Sequence, residues 1–284
     1  MVIHLCGIMI AQGRRKCKHL FEKVAFLWVP QKRPASGLAN RTPQLLFETG
    51  NWDPKQKSGP FSFLNKSLIF FRRVTLELYI MRHGQTADNK KHLLQGRKNI
   101  PLSEEGIEQA LKAKADLDAE GIVFDRVCAS PLRRAMQTAA LITGVEESDV
   151  EPVEDIIEYD FGPLEGKRVE DLGPNMRAFF MDPEAYIAPE GAETYDEMFE
   201  RVEGYLKRME QEDPDEKILV VAHGGTLHAM YQLLVGGPMK EMWETTIGNC
   251  GYFIASVVDG KLSVTSTHFK EENKTLPLDS FLKK

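Results

Sequence analysis

The sequence predicts an α/β fold: a three-layer sandwich whose largely parallel sheet is flanked by helices. Three observations carry that expectation. Short apolar, strand-forming runs alternate with helical patterns, as crossover connections require. Three of the runs stop abruptly at polar clusters: Arg82-His83, Ser130 through Arg134, and His223. Such carboxyl ends are where open α/β sheets bind ligands. Parallel neighbours would bring the three clusters to one rim.

The elements can be justified in order. Leu76–Met81 is an apolar run rich in strand formers, and it breaks at the Arg-His-Gly corner. Pro101-Leu102-Ser103 introduces a helix, with Ser103 as N-cap and Glu104 and Glu105 favourable in the first turn. Ile107, Ala110, Leu111, Ala115 and Leu117 supply its apolar stripe, and Gly121 ends it. Phe124–Ala129 reads as a second strand, after which Pro131 is placed in the first turn of another helix. Glu151–Glu190, rich in Pro and Gly, reads as loops with short helices.

Thr194–Glu212 is amphipathic, with Met198, Val202, Leu206 and Met209 on one face. Ile218–Ala222 is a third buried strand, followed by a helix over Thr226–Val235. Tyr252–Val258 and Leu262–Thr267 flank Asp259-Gly260, a tight-turn signal.

Charge divides the chain unevenly. Residues 1–75 hold 13 Lys/Arg against 3 Asp/Glu, a balance of +10, whereas the remainder holds 23 against 39, a balance of −16. The first part also lacks a sustained hydrophobic period and is broken by Pro30, Pro34, Pro43, Pro54 and Pro60. It reads as a basic, poorly ordered N-terminal extension, with 76–284 as the folded domain. A basic tail can also bind nucleic acid, a remote reading here. Another expectation is that the segment is not translated. If Arg72-Arg73 is encoded AGG-AGG it matches a bacterial ribosome-binding sequence, and Leu76 falls where a TTG start would lie.

Cys6, Cys17, Cys128 and Cys250 form no CxxC pair, and a reducing cytoplasm is the simplest setting. No apolar run reaches the roughly 18–20 residues that span a bilayer. The basic cluster Arg14-Arg15-Lys16 follows the short apolar start, the wrong order for a signal peptide.

Two histidines and two arginines on one rim make an anion site with a nucleophile. Guanidinium groups suit phosphate oxygens, and a neutral imidazole can attack phosphorus. A second imidazole, if protonated, can donate to the phosphoryl oxygens as charge moves onto them. No metal-ligand cluster is visible, so metal-independent chemistry without a cofactor is expected.

The matching pieces are Arg82-His83-Gly84-Gln85-Thr86 with Asn89, Gln95-Gly96, Pro101-Leu102-Ser103-Glu104-Glu105-Gly106, the run Ser130–Ala139, Glu158 to Gly162 with Glu165-Gly166, and Val220–Gly225. In these, residues 76–284 resemble the histidine phosphatase superfamily, also called the phosphoglycerate mutase-like family. The resemblance implies that His83 takes the phosphoryl group, while Arg82, Arg134 and His223 complete its pocket. Arg134 fits better than Arg133, since it directly precedes Ala135. Glu158 would be the acid and base, with Asp160 as nearest competitor. Asn89, Gln95, Gly96 and Gly224 would contact phosphate or substrate.

Gln85 and Asn99 depart from the family pattern, which often has Glu and Asp there. Lys167–Glu193, carrying Met176, Phe179, Phe180, Met181 and Tyr186, reads as a lid or simply as a packed segment.

The resemblance therefore implies a phosphomonoesterase acting through phosphohistidine on a small phosphorylated substrate. Two alternatives stay open: a phosphoglycerate mutase-type phosphotransferase, and a catalytically silent module that binds phosphate esters. Oligomeric state is not written in the sequence.

Overall fold

The protein's structure, a computed structural model, describes residues 75–212 and 215–270. Apart from Thr75, the basic segment and the readings placed on it lie outside the described residues.

Strand β1 (Glu77–Arg82) opens the fold, followed by the one-turn helix α1 (Ala87–Lys90) and the long helix α2 (Glu104–Ala119). Strand β2 (Arg126–Ala129), helix α3 (Arg133–Thr143) and the two-residue strand β3 (Glu151–Pro152) come next. An irregular stretch with single-turn helices carries α4 (Gly173–Met181). Helix α5 (Tyr195–Met209), strand β4 (Lys217–Ala222) and helix α6 (Gly224–Val235) precede the hairpin of β5 (Tyr252–Val258) and β6 (Lys261–His268).

The sheet runs β3-β2-β4-β1-β5-β6. The first four strands are mutually parallel, and β5 joins β1 antiparallel and is followed by β6. Both turn residues, Asp259 and Gly260, have positive φ (52° and 83°), as a two-residue hairpin of right-twisted strands demands.

Alternation along the strands separates two cores. Leu78 and Ile80 of β1 face α5 and α6, packing with Met198, Val202, Leu227 and Met230. Tyr79 and Met81 face the other way, toward Ala110, Ala113 and Leu117 of α2 and Ala135, Ala139 and Ile142 of α3. Helix, sheet and helix form three layers. No helix among the described residues is long and apolar enough to cross a membrane.

Register is what positions the site. Because β4 lies between β1 and β2, Arg82 pairs with Ala222 and Ala129 pairs with Val221. The ladder continues one residue further: His83 N–H donates to Ala222 O at 3.0 Å, and Ser130 N–H to Val221 O at 2.9 Å. The three polar clusters therefore leave the sheet at one level.

Some local expectations shift. Strand β2 begins at Arg126, and Phe124 instead packs edge-on against Tyr79 with ring centroids 5.2 Å apart. Helix α3 begins at Arg133 with Leu132 as N-cap, so Pro131 precedes it. The buried face of α2 is Gly106, Ala110, Ala113 and Leu117, while Ile107 and Leu111 are exposed. The reason is proximity: a Cβ on Gly106 would overlap the Gln85 carbonyl, and one on Gly84 would meet Gly106 O. Two backbones in contact admit only the smallest residues on that side of the helix.

That contact is testable. Gly106→Ala should lower stability by roughly 1–3 kcal/mol through overpacking. It should appear as a lower urea midpoint at unchanged slope. A wild-type midpoint would refute the contact.

Candidate active site

Strands β1 and β4 deliver His83 and His223 side by side, with ring centroids 5.1 Å apart and planes inclined at 61°. Both rings are buried. His83 Nδ1 lies 2.6 Å from Gly84 O. A carbonyl can only accept, so Nδ1 carries the proton and Nε2 keeps its lone pair. That Nε2 accepts the Nε–H of Arg134 at 3.3 Å.

Arg134 has no solvent exposure at all. Its Nη1 and Nη2 donate to Lys98 O and Gly96 O, each at 2.7 Å. Gly96 (φ +50°) has no room for a Cβ, because the Glu165 carboxylate occupies that space while accepting Arg97 N–H at 2.7 Å. Arg133, by contrast, is exposed, and its N–H donates to Asn99 Oδ1 at 2.7 Å. Asn99 therefore serves the start of α3, and the site keeps its arginines without an acid at that position.

Arg82 Nη1 donates to Ile247 O at 2.7 Å, and Asn249 Nδ2 donates to His83 O at 2.7 Å. The segment before β5 thus fixes both members of the Arg-His pair.

Burial, with neighbouring charge second, decides the state of the rings. Burial, then Arg134, then Arg82 hold the His83 pKa well below its ordinary 6.5. Burial, Arg134 and His83 do the same to His223. Burial pushes Arg134 down to about 10, with Glu158, Glu165 and Asp88 opposing, so the guanidinium stays charged at neutral pH. The condition that the sequence left open, a protonated second imidazole, is not met in this state. His83 and His223 are neutral beside two fixed cations, and the hollow is primed for an anion.

Glu158 reaches the same place from a different segment. Its Oε2 accepts Gly225 N–H at 3.2 Å, and its Oε1 accepts Tyr159 N–H at 2.9 Å and Thr226 N–H at 3.2 Å. The carboxyl group thus takes up the N–H groups that the first turn of α6 leaves without intrahelical partners. A Cβ on Gly224 would stand 3.7 Å from Arg82 Nε and 3.8 Å from Glu158 Oε2, so Gly224 separates the two. Asp160 points elsewhere, accepting Gly162 N–H at 2.8 Å and pairing with Arg97 at 3.3 Å.

The remaining candidates have structural duties. Asn89 Oδ1 accepts Thr86 N–H at 3.1 Å in a capping box for α1. Gln95 Oε1 accepts the Thr86 hydroxyl at 2.9 Å. Gly96 acts here through the carbonyl that grips Arg134.

The model of the histidine phosphatase superfamily (branch 1) matches residues 78–269. The chain belongs to this superfamily. Among curated relatives, the adenosylcobalamin/alpha-ribazole phosphatase of Escherichia coli is 33% identical over 173 residues, 60% of this chain and 84% of that one. The 2,3-bisphosphoglycerate-dependent phosphoglycerate mutase of Parvibaculum lavamentivorans is 30% identical over 165 residues, 55% of this chain and 79% of that one. Among solved structures, a phosphoserine phosphatase from Entamoeba histolytica superposes with a TM-score of 0.61 at 25% identity, covering 69% of this chain and 98% of that one. Reaction through phosphohistidine is general to the family.

In this histidine phosphatase, several contributors were missed at the level of sequence. Thr138 accepts Gly84 N–H at 3.0 Å and donates to Arg134 O at 2.7 Å, tying the corner after His83 to the helix that carries Arg134. Ser130 lies 2.7 Å from His223 Nε2. Both lie inside the Ser130–Ala139 run, where the signal was present but unassigned. Asn249 had no local signal. Arg97 joins the anion-site turn to Asp160 and Glu193, on a cleft of about 610 Å³ also lined by Glu197, Glu200 and Arg201.

The lid segment is largely packed down: Met176 and Phe179 are buried, and Phe179 contacts Tyr159, Phe161, Tyr195 and Trp243.

His228 is structural. Its ring nitrogens face Gly224 O at 2.6 Å and Thr245 O at 2.8 Å, stapling α6 to the segment that holds Arg82 and His83. Two carbonyls favour a doubly protonated ring, but burial wins and lowers its pKa to about 4.

A pKa below the unfolded value means that the unfolded chain binds more protons, so stability falls as pH drops from 6.5 toward 4. His228 should contribute roughly 2–3 kcal/mol of that loss, and His83 and His223 act in the same direction. Comparing urea unfolding at about pH 7 and about pH 4.5, His228→Gln should show a correspondingly smaller drop than wild type. Equal drops would refute the assignment.

Proposed function

We propose that this protein is a phosphomonoester hydrolase in which His83 is the nucleophile and Glu158 the acid and base. One observation carries the reading. His83 Nδ1 is committed to Gly84 O, which leaves the Nε2 lone pair against Arg134, where a phosphoryl group would be held.

The steps balance as follows. The Nε2 lone pair bonds to phosphorus as the ester P–O bond breaks, and the departing oxygen takes a proton from Glu158. Glu158, now a carboxylate, removes a proton from water, whose oxygen attacks phosphorus. The P–N bond breaks, and inorganic phosphate leaves. Arg82, Arg134 and His223 stabilise the equatorial oxygens through charge-assisted and neutral hydrogen bonds. The Gly224 N–H at the start of α6 is a further donor, and Asn89 and Gln95 are contacts for the substrate at the rim.

The substrate class is a small phosphorylated molecule. The named substrates of the relatives, alpha-ribazole phosphate and phosphoserine, are the first to try. A cytoplasmic setting goes with this reading, supported by the free thiols of Cys128 and Cys250. Phosphoryl transfer back to a second hydroxyl is the competing reading, favoured by the mutase relative.

A panel of phosphate esters, assayed for phosphate release and for phosphoglycerate interconversion, separates the two. Release with negligible interconversion is expected, and the reverse would favour the mutase. His83→Ala should lose more than about 10³-fold in turnover. Glu158→Ala should lose about 10²–10⁴-fold on alkyl phosphates but much less on aryl phosphates, whose leaving groups need no proton. Equal losses on both would remove Glu158 from the acid role.

A further inference from the structure

We propose that Ser130 is a positioning residue for phosphoryl transfer. Its buried hydroxyl fixes His223 as the Nδ1–H tautomer, so a neutral imidazole donates a hydrogen bond to the phosphoryl oxygens. The catalytic purpose rests on the phosphatase reading above, but the position of the proton does not.

Ser130 and His223 are both fully buried, with no solvent exposure. Ser130 Oγ lies 2.7 Å from His223 Nε2 and accepts Leu132 N–H at 3.4 Å. A hydroxyl has one proton to give, and no water reaches this one. Among the described residues, His223 Nε2 is the acceptor available to it. An Nε2 that accepts must be bare, which puts the proton of the neutral ring on Nδ1.

Nδ1 is the atom of His223 buried without a hydrogen-bond partner among the described residues. An orphaned donor is costly in a folded protein, and one beside the nucleophile has a natural partner in an anionic substrate. The ring faces His83 across 5.1 Å.

Full burial, and then the charge of Arg134, disfavour a second proton on this ring. Donation therefore cannot depend on charging the ring before substrate arrives. It depends on which nitrogen holds the single proton. The other tautomer would turn a lone pair on Nδ1 toward the phosphoryl oxygens and repel them. Were the ring doubly protonated instead, Nε2 would donate to Ser130, the serine proton would be stranded, and removing the hydroxyl would relieve the site.

Four measurements test this. Nitrogen NMR on the resting protein with labelled histidine should find the proton of His223 on Nδ1; finding it on Nε2, or on both nitrogens, overturns the proposal. Ser130→Ala should lower kcat by about tenfold with far less change in KM, since the misplaced proton matters most as charge builds. Ser130→Thr, which keeps the hydroxyl, should recover most of that loss. His223→Ala should lose more, about 10²-fold, and adding Ser130→Ala to it should cost nothing further.

A full additional tenfold loss in the double variant would show that Ser130 acts independently of His223 and would overturn the proposal. Should the wild type release phosphate from no ester, the phosphatase reading fails, while the NMR result still decides the tautomer.

Discussion

The whole site depends on one unusual commitment, a guanidinium buried to zero exposure. Such a cation is costly unless hydrogen-bonded and offset by nearby charge. Arg134 meets those needs with two backbone carbonyls, a ring nitrogen and the carboxylates Glu158, Glu165 and Asp88 nearby. Its charge then dictates the chemistry around it. Both imidazoles stay neutral, so His83 keeps the lone pair that a nucleophile needs. A neutral ring beside a fixed cation is also ready for a dianion without any prior proton uptake.

Holding that arrangement is largely the work of backbone groups. The parallel register sets the height of His83, Ser130 and His223, and the Gly84–Gly106 contact sets how closely α2 can approach. Carbonyls at Gly84, Gly96, Lys98 and Ile247 accept one hydrogen bond each from His83, Arg134, Arg134 and Arg82 respectively. Rigid acceptors of this kind cost little reorganisation as charge moves, which is the basis of electrostatic preorganisation. The tautomers of the two rings follow from neighbours one bond away, Gly84 O for His83 and Ser130 Oγ for His223.

Glu158 occupies a different kind of position. It is half-buried at a helix N-terminus, held by backbone N–H groups of Gly225 and Thr226. Arg97 links that segment to the turn that grips Arg134. The neighbouring cleft is polar, with both signs of charge, whereas the aromatic cluster around Phe179 is occupied with packing.

Much was legible in the chain itself. Strand ends at Arg82-His83 and His223, the capping residue Ser103, and the Asp259-Gly260 turn are local signals, because each reports on a few consecutive residues. The family motifs located His83, Arg134 and Glu158 for the same reason. Three things were not legible. The buried face of α2 includes Gly106, outside the hydrophobic stripe, because the Gln85 carbonyl leaves no room there for a side chain. Asn249 gained its partner through a strand pairing that sequence spacing does not encode.

The protonation of His223 stayed open because a lone imidazole has a pKa near neutrality; burial first, and then Arg134, keeps the second proton off the ring. Sequence by itself determined which groups the site contains. Tertiary structure decided their proton states and tautomers, since these depend on desolvation and on partners that distant segments bring within 3 Å.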